Sequence, residues 1–502
     1  MNKQVTPDLV LGGQSVKEMR REVQRIYAQD KRPWVIGYSG GKDSTAILRL
    51  VCESLAELPA AARTKPIFVV SSDTLVETPV VVSLIGQTLL TVQEYAVRQG
   101  LPITVAQVTP KTTETFWVNL LGKGYPAPTR SFRWCTERMK IDPVSEFIRS
   151  KVAAYGEVVI VLGSRTAESS SRAQVMKKHR IDGNRLSRHT TLTNAFVYTP
   201  IETWTADDVW EFLFSGPAPW GGDHQALFDL YKDSNAGECP LVIDTSTPSC
   251  GNSRFGCWVC TVVTKDRAMD GLVESGHTWL VPLQDFRNGL YETTKPENKH
   301  KFRSDKRRSG KVTIKLHAEQ GLKQVLGPYR MEIRKDLLRK LLEAQRKISA
   351  LNPEATNILI TKDELEEIRQ CWRSDPNEPD WTDAVPTIYR EVMNEDIEWI
   401  GNDQGAFGAL EVSVLAEIEN EAGIPKELVM KLIETELMQE GLGRRSDLFR
   451  RFDAVLGQDW DEIPLLLIKH RARESQDAEY DRMEQSLHEE YEQVKRHLTN
   501  DL

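Results

Sequence analysis

Apolar and polar positions first separate along residues 16–29, VKEMRREVQRIYAQ, where the apolar side chains recur at helical spacing and predict an amphipathic helix. Short apolar runs then alternate with helical patterns. Strands are expected at 34–38, 67–71 and 103–108, helices at 43–56 and 79–98, and a further buried strand at EVVIVLG (157–163). Such alternation predicts a parallel sheet with helices on both faces, an α/β fold of Rossmann-like type. Ligands of such sheets bind at the carboxyl ends of the strands, where SGGKDS, SSDT and GSR all fall.

Periodicity fades from about 215 to 262 into Gly, Pro, Asp and Cys, which predicts an inserted functional element rather than an empty linker. Residues 291–315 are strongly basic with Pro, Gly and Ser and read as a mobile surface loop. Beyond 330 the pattern is mainly helical, broken at WRSDPNEPDWTDAVP (372–386), a candidate subdomain boundary. The expected organisation is an N-terminal helix (1–30), a nucleotide domain (31–235), a Cys-rich segment (236–290), a basic loop (291–320) and a mainly α-helical C-terminal region (321–502). In the last stretch Tyr480, Met483, Leu487, Tyr491, Val494 and Leu498 form a heptad-like stripe, read as packing on its own domain or docking a partner protein.

Composition adds limits. The chain has 502 residues, 40% apolar and 27% charged, enough for two or three domains. No uninterrupted apolar run approaches the ~20 residues of a membrane span, and the first residues lack a signal pattern, so the expected compartment is cytoplasmic. Net charge is −8, so contact with a polyanion must come from local basic patches. Seven cysteines in a reducing compartment are not expected to pair as disulfides, and five of them lie between 135 and 260.

The loop Ser39, Gly40, Gly41, Lys42, Asp43, Ser44 sits between a strand and a helix N-terminus. Glycines let backbone approach a phosphate, and the helix start offers free N–H donors. A bare strand–helix turn capped by Asp43 is the ordinary explanation. Full SGGKDS is more specific and resembles the pyrophosphatase loop (PP-loop) of the adenylating ATP pyrophosphatases, the adenine nucleotide alpha hydrolase-like fold. That resemblance implies attack at the α-phosphorus of ATP, giving AMP and pyrophosphate, with Mg²⁺ and Lys42 neutralising the phosphates. Ser39, Lys42 and Asp43 are the expected catalytic residues, Asp43 orienting the magnesium.

VVSSDTLVETP (69–79), GSRTAESSSRA (163–173) and YTPIETWTADDVWEFL (198–213), in this order, resemble the sulfonucleotide (PAPS) reductase branch of that family. The resemblance implies that Ser72, Asp73, Thr74 and Gly163 to Arg165 flank adenine and ribose, with Arg165 and Arg172 near anionic groups. The true reductases carry a catalytic cysteine in an ECGLH-like segment near the C-terminus. Here the last cysteine is Cys371, and Glu238-Cys239 is only an echo.

Cys257 and Cys260 form CWVC, with Cys250 close by and Cys135 in RSFRWCTERMK (130–140). Four thiolates suit either tetrahedral zinc or a 4Fe–4S cluster, and spacing does not separate them. Trp134, Phe255 and Trp258 would shield a cluster from water. Cys239 is a spare thiol near the set; Cys52 and Cys371 read as structural. Together with the nucleotide motifs, RWCTERMK and GECPLVIDTSTPSCGNSRFGCWVC (237–260) resemble the DndC family, the iron–sulfur ATP pyrophosphatases of bacterial DNA phosphorothioation (DNA sulfur modification). The resemblance implies ATP-dependent activation of a DNA backbone phosphate and replacement of a non-bridging oxygen by sulfur. It also implies a 4Fe–4S cluster on Cys135, Cys250, Cys257 and Cys260, a cysteine desulfurase as sulfur donor and further subunits of a phosphorothioation complex.

DNA contacts are expected from RAQVMKKHRIDGNRLSRH (172–189), through Arg172, Lys177, Lys178, Arg180 and Arg185, and from 299–315, which carries eight Lys/Arg and one acid. A solvated surface is the plain alternative. The rival functions are a tRNA thiolase, a sulfonucleotide reductase and a non-catalytic, zinc-stapled DNA-binding subunit.

Overall fold

The computed structural model describes residues 9–168, 174, 185–234, 256–317, 321–353, 358–375, 377–380, 382–400, 409–437 and 447–460. Its centre is a six-stranded sheet of β1 (Trp34–Gly37), β2 (Ile67–Ser72), β3 (Ile103–Val108), β4 (Val158–Val161), β5 (Leu186–Arg188) and β6 (Ala195–Tyr198). The strand order is β3-β2-β1-β4-β6-β5, parallel throughout except for the antiparallel edge strand β5. The register pairs Ile36 of β1 with Val69 of β2 and with Val161 of β4.

Both faces of this sheet are covered, which is why its strands read as continuous apolar runs rather than as alternation. Trp34, Ile36, Ile67, Val69, Val159 and Val161 enter the main core, while Val35, Phe68, Val70, Val158 and Ile160 enter a smaller one under the helix Asp142–Tyr155. On the main face lie α1 (Val16–Ala28), opened by a Ser15/Glu18 capping box, and α2 (Lys42–Ala56), almost wholly buried. Between β2 and β3 runs α3 (Pro79–Gln99), closed by Gly100 in the left-handed conformation. By length and mean hydropathy α3 is apolar enough to cross a membrane, although Ser83, Gln87, Thr88, Thr91, Gln93 and Glu94 interrupt its apolar run. It is nevertheless the crossover helix of a parallel sheet, burying Val81, Ile85, Leu89, Val92 and Ala96 at spacings of three and four.

Three later helices, Met331–Leu351, Lys362–Arg373 and Ala384–Met393, share the main core. Trp372 donates to the Leu121 carbonyl at 2.7 Å and Trp117 donates to that of Leu359 at 2.6 Å. The break at 372–386 is therefore a turn within one packed body. Arg334, 1% exposed, pairs with Asp375 at 2.8 Å beneath it. The stretch 291–315, expected to be a mobile loop, is built into the body instead. It includes the short helix Lys299–Phe302, a bridge from Arg303 to Tyr329 and a hydrogen bond from Ser304 N to the Pro328 carbonyl at 2.8 Å.

Candidate functional site

Strand order reverses between β1 and β4, and the loops leaving their carboxyl ends face each other there. The loop after β1 is SGGKDS. Gly40 takes φ +74°, and a Cβ at this position would lie 2.4 Å from Ile85 Cγ1, so the turn requires glycine. Gly41 caps α2 with no side-chain hydrogen bond of its own. Ser39 and Ser44 hydroxyls are 3.2 Å apart, and Ser44 Oγ donates to the Gly41 carbonyl at 2.9 Å.

From the loop after β4 comes Arg165, 2% exposed, whose Nε donates to Asp43 Oδ1 at 2.5 Å; Lys42 Nζ holds Oδ2 at 2.9 Å. Gly163 lets the two loops touch, since a Cβ there would be 3.0 Å from the Asp43 carbonyl carbon. Lys42 is thus a buried, paired cation. One contributor escapes a reading by motif. Tyr231, on the helix Gln225–Ser234, accepts from Lys42 N at 3.2 Å. That helix lies in the stretch where periodicity fades; its one legible signal is the aromatic pair Phe228 and Tyr231, which packs on Trp210.

The loop after β2 carries Ser72, Asp73 and Thr74. Ser72 Oγ donates to the Met139 carbonyl at 3.2 Å, and the Asp73 carboxylate accepts from Leu75 N at 2.8 Å. Burial raises the Asp73 carboxyl above its ordinary range, and the Leu75 bond offsets part of that. Thr74 Oγ1 lies 3.4 Å from Cys257 Sγ. Backbone bonds from Thr78 N to the Gly256 carbonyl (3.2 Å) and from Trp258 N to the Val76 carbonyl (3.0 Å) fasten the cysteine turn to this loop. Burial pushes the Cys257 thiol up to about 12, Lys140 pulling it back and Glu77 and Cys135 adding to the rise. Burial also raises the Glu77 carboxyl, which Lys140 opposes at 3.8 Å.

Cys135, on the short helix Trp134–Thr136, therefore neighbours Cys257, and Cys260 follows one turn on, its N–H donating to the Cys257 carbonyl at 3.1 Å. Trp134 stacks on Phe116 at 5.3 Å, and Trp258 is buried beside Trp117 and Phe286. Among the described residues no group of three or more His, Cys, Asp or Glu side chains could hold a metal ion. Cys250 and Cys239, like Phe255, Arg172, Lys177, Lys178, Arg180 and the 480–498 stripe, lie outside the described residues. Arg185 is described, and it pairs with Glu22 at 2.8 Å on the flank of α1.

Residues 33–262 match the phosphoadenosine phosphosulfate reductase domain family, so this part of the chain is a PAPS reductase-like α/β domain. Two uncharacterized proteins of Methanocaldococcus jannaschii are similar. One is 30% identical over 207 residues, covering 41% of this chain and 36% of the relative. The other is 25% identical over 177 residues, covering 35% and 34%. The chain thus spans about a third of the length of these curated relatives. Among solved structures, the U34-tRNA thiolase NcsA of Methanococcus maripaludis with its 4Fe–4S cluster aligns at 15% identity over 59% of this chain and 90% of that one. Its TM-score is 0.26.

Proposed function

We propose that the protein is an ATP pyrophosphatase and sulfurtransferase of DNA phosphorothioation, in the manner of the DndC family. A non-bridging oxygen of a DNA phosphodiester attacks the α-phosphorus of ATP, and pyrophosphate leaves. Sulfur at the oxidation level of hydrosulfide then attacks the activated DNA phosphorus, and AMP departs with the original oxygen. No general base is needed for the first step, because the attacking oxygen is already ionised. The chemistry joins two anions, so positioning and charge neutralisation carry the rate.

In this reading the triphosphate and Mg²⁺ lie over the uncapped start of α2. Asp43 acts as a positioning group that aims Lys42 and Arg165. Both its oxygens are engaged, so a direct role in orienting magnesium would require one of those bonds to open. A 4Fe–4S cluster on Cys135, Cys250, Cys257 and Cys260 is proposed from the cysteine set and the nearness of Cys135 to Cys257. A cysteine desulfurase as sulfur donor, its persulfide reduced to hydrosulfide by a thiol that leaves as disulfide, further subunits of the complex and a cytoplasmic setting complete the proposal.

The observation that carries this reading is the 3.4 Å contact of Thr74 with Cys257: the strand-end loop expected beside the nucleotide also touches the thiols. The test is anaerobic purification with iron and zinc counted per chain, followed by ATP incubation with DNA and a sulfur source. Iron at about four per chain, DNA-dependent AMP and pyrophosphate, and phosphorothioate in digested DNA are expected. Thionucleosides in tRNA with none in DNA would replace the reading by a thiolase, and zinc with no AMP by a structural subunit.

A further inference from the structure

A cavity of about 760 Å³ is walled by the segment 125–138 on one side and by residues of 293–308 and 327–329 on the other. Its lining includes Arg133, Arg138, Lys299, Arg303, Arg307 and Arg308 against a single acid, Glu137. The chain as a whole carries −8, so this concentration of positive charge runs against the background. Arg138 pairs with Glu114. Among the described residues no carboxylate forms an ion pair with Arg133, Arg303, Arg307 or Arg308; Arg303 and Arg307 donate to the Leu326 carbonyl, at 2.5 and 3.1 Å. Arg133 Nε is buried without a hydrogen-bond partner, a donor left for an acceptor that enters the cavity.

The same wall is aromatic. Tyr125 has the guanidinium groups of Arg138 and Arg308 over its ring, at 5.3 and 5.5 Å from the centroid. Phe132 lies 6.5 Å from Tyr125 and is 45% exposed, a ring held at the surface of a basic cavity. Guanidinium groups for phosphates beside an exposed ring for a base are the two elements of a site for an unpaired nucleic-acid strand. The volume falls in the ~300–1,000 Å³ range of pockets for small ligands, room for one or two nucleotides rather than a duplex.

The wall of the cavity is also continuous in the chain with the cysteine segment. Trp134 and Glu137 line the cavity, and Cys135 lies between them in the chain. Met139, two residues past Glu137, takes the Ser72 hydrogen bond beside the expected nucleotide site. Thr261, next to Cys260, donates to the Pro128 carbonyl of the wall at 2.7 Å. We propose that this cavity is the port for the sulfur acceptor, seating one unpaired nucleotide of a polynucleotide strand by its phosphates on Arg133, Arg303, Arg307 and Arg308 and by its base on Phe132. The proposal rests on the sulfur-transfer reading for its consequence but not for its test.

The experiment measures binding of fluorescein-labelled single-stranded DNA, single-stranded RNA and duplex DNA to the full chain across a salt series. ATP binding is measured in parallel. Arg307→Ala with Arg308→Ala should weaken strand binding about tenfold and lower the salt slope by about 1.4, at ~0.7 per lost phosphate contact. Phe132→Ala should weaken it about fivefold with the slope unchanged. Arg98→Ala, exposed near the end of α3, should do neither, and ATP binding should hold in all three. Preference for DNA or for RNA strands identifies the source of the nucleotide, and either preference supports the port. Wild-type strand binding in both groove variants overturns the port and leaves the proposed function standing. Duplex bound as tightly as single strand, with no effect of Phe132→Ala, overturns it as well. Groove-dependent binding without pyrophosphate release from any strand would keep the port and sink the function.

Discussion

Arg165 Nε lies 2.5 Å from Asp43 Oδ1 across 122 residues of sequence, joining the loops at which the strand order of the sheet reverses. Both side chains are largely buried, so neither charge has water to fall back on. Arg165→Met should destabilise the fold by about 3 kcal/mol, as removal of one partner of a buried pair does. Asp43→Asn should cost less stability but lower ATP turnover by about a hundredfold, since it releases both cations from their aim. Urea midpoints and pyrophosphate release measured on the same two variants separate these outcomes.

Gly163 and Gly40 should differ in how they fail. Gly163→Ala presses a methyl group on the Asp43 backbone at 3.0–3.1 Å, which predicts about tenfold weaker ATP binding with a melting temperature near that of the parent. Gly40→Ala must accept both a positive φ and a contact at 2.4 Å with Ile85, and should lose about 2 kcal/mol or more of stability. Calorimetric titration with a non-hydrolysable ATP analogue, beside thermal melts, checks the order.

Arg334→Met leaves Asp375 buried and unpaired and should cost about 3–5 kcal/mol. Burial alone would raise the Asp375 carboxyl, but Arg334 and backbone N–H donors outweigh it and hold the group below the ordinary carboxylate range. The stability it contributes is therefore present above the unfolded value, near pH 4, and lost as pH falls through the folded one. Urea unfolding of parent and variant from pH 7 down to 3 should show the difference between them shrinking at the acid end.

His224 supplies an acid-side weakness of opposite origin. Burial, with the nearby Arg49 charge, lowers its imidazole to about 4, and its Nε2 is buried without a partner. The neutral ring is favoured in the fold, so stability is complete above the unfolded value near 6.5 and declines as pH falls toward 4. His224→Gln should flatten that part of the stability profile; an unchanged slope between pH 6.5 and 4.5 would contradict the assignment.

The sheet was legible in sequence because both its faces are buried, so β1, β2 and β4 appear as unbroken apolar runs between helical patterns. SGGKDS was legible because a strand, two glycines and a helix start leave few other uses. Tyr231 was not, since the helix that brings it to Lys42 is held by the rings of Phe228 and Tyr231 packing on Trp210, a contact across the fold that sequence spacing does not show. Nor was the folding of 299–308 against 326–329. Its positive charge suggested solvent, yet carbonyl oxygens of Leu326 and Gly327 take up the arginine donors. The cavity was invisible for a related reason: its two walls lie more than 150 residues apart in the chain.

The antiparallel bridge between Glu77 and Cys257 makes the loop after β2 and the cysteine turn a single strip of backbone. Any ligand that shifts one half does work on the other, and thermodynamic linkage makes the exchange symmetric. A nucleotide that tightens the grip of the thiols on their ligand is itself held more tightly, by the same factor, once that ligand is in place. The two halves of the reaction would then keep time with each other through two hydrogen bonds of main chain, with no moving domain required.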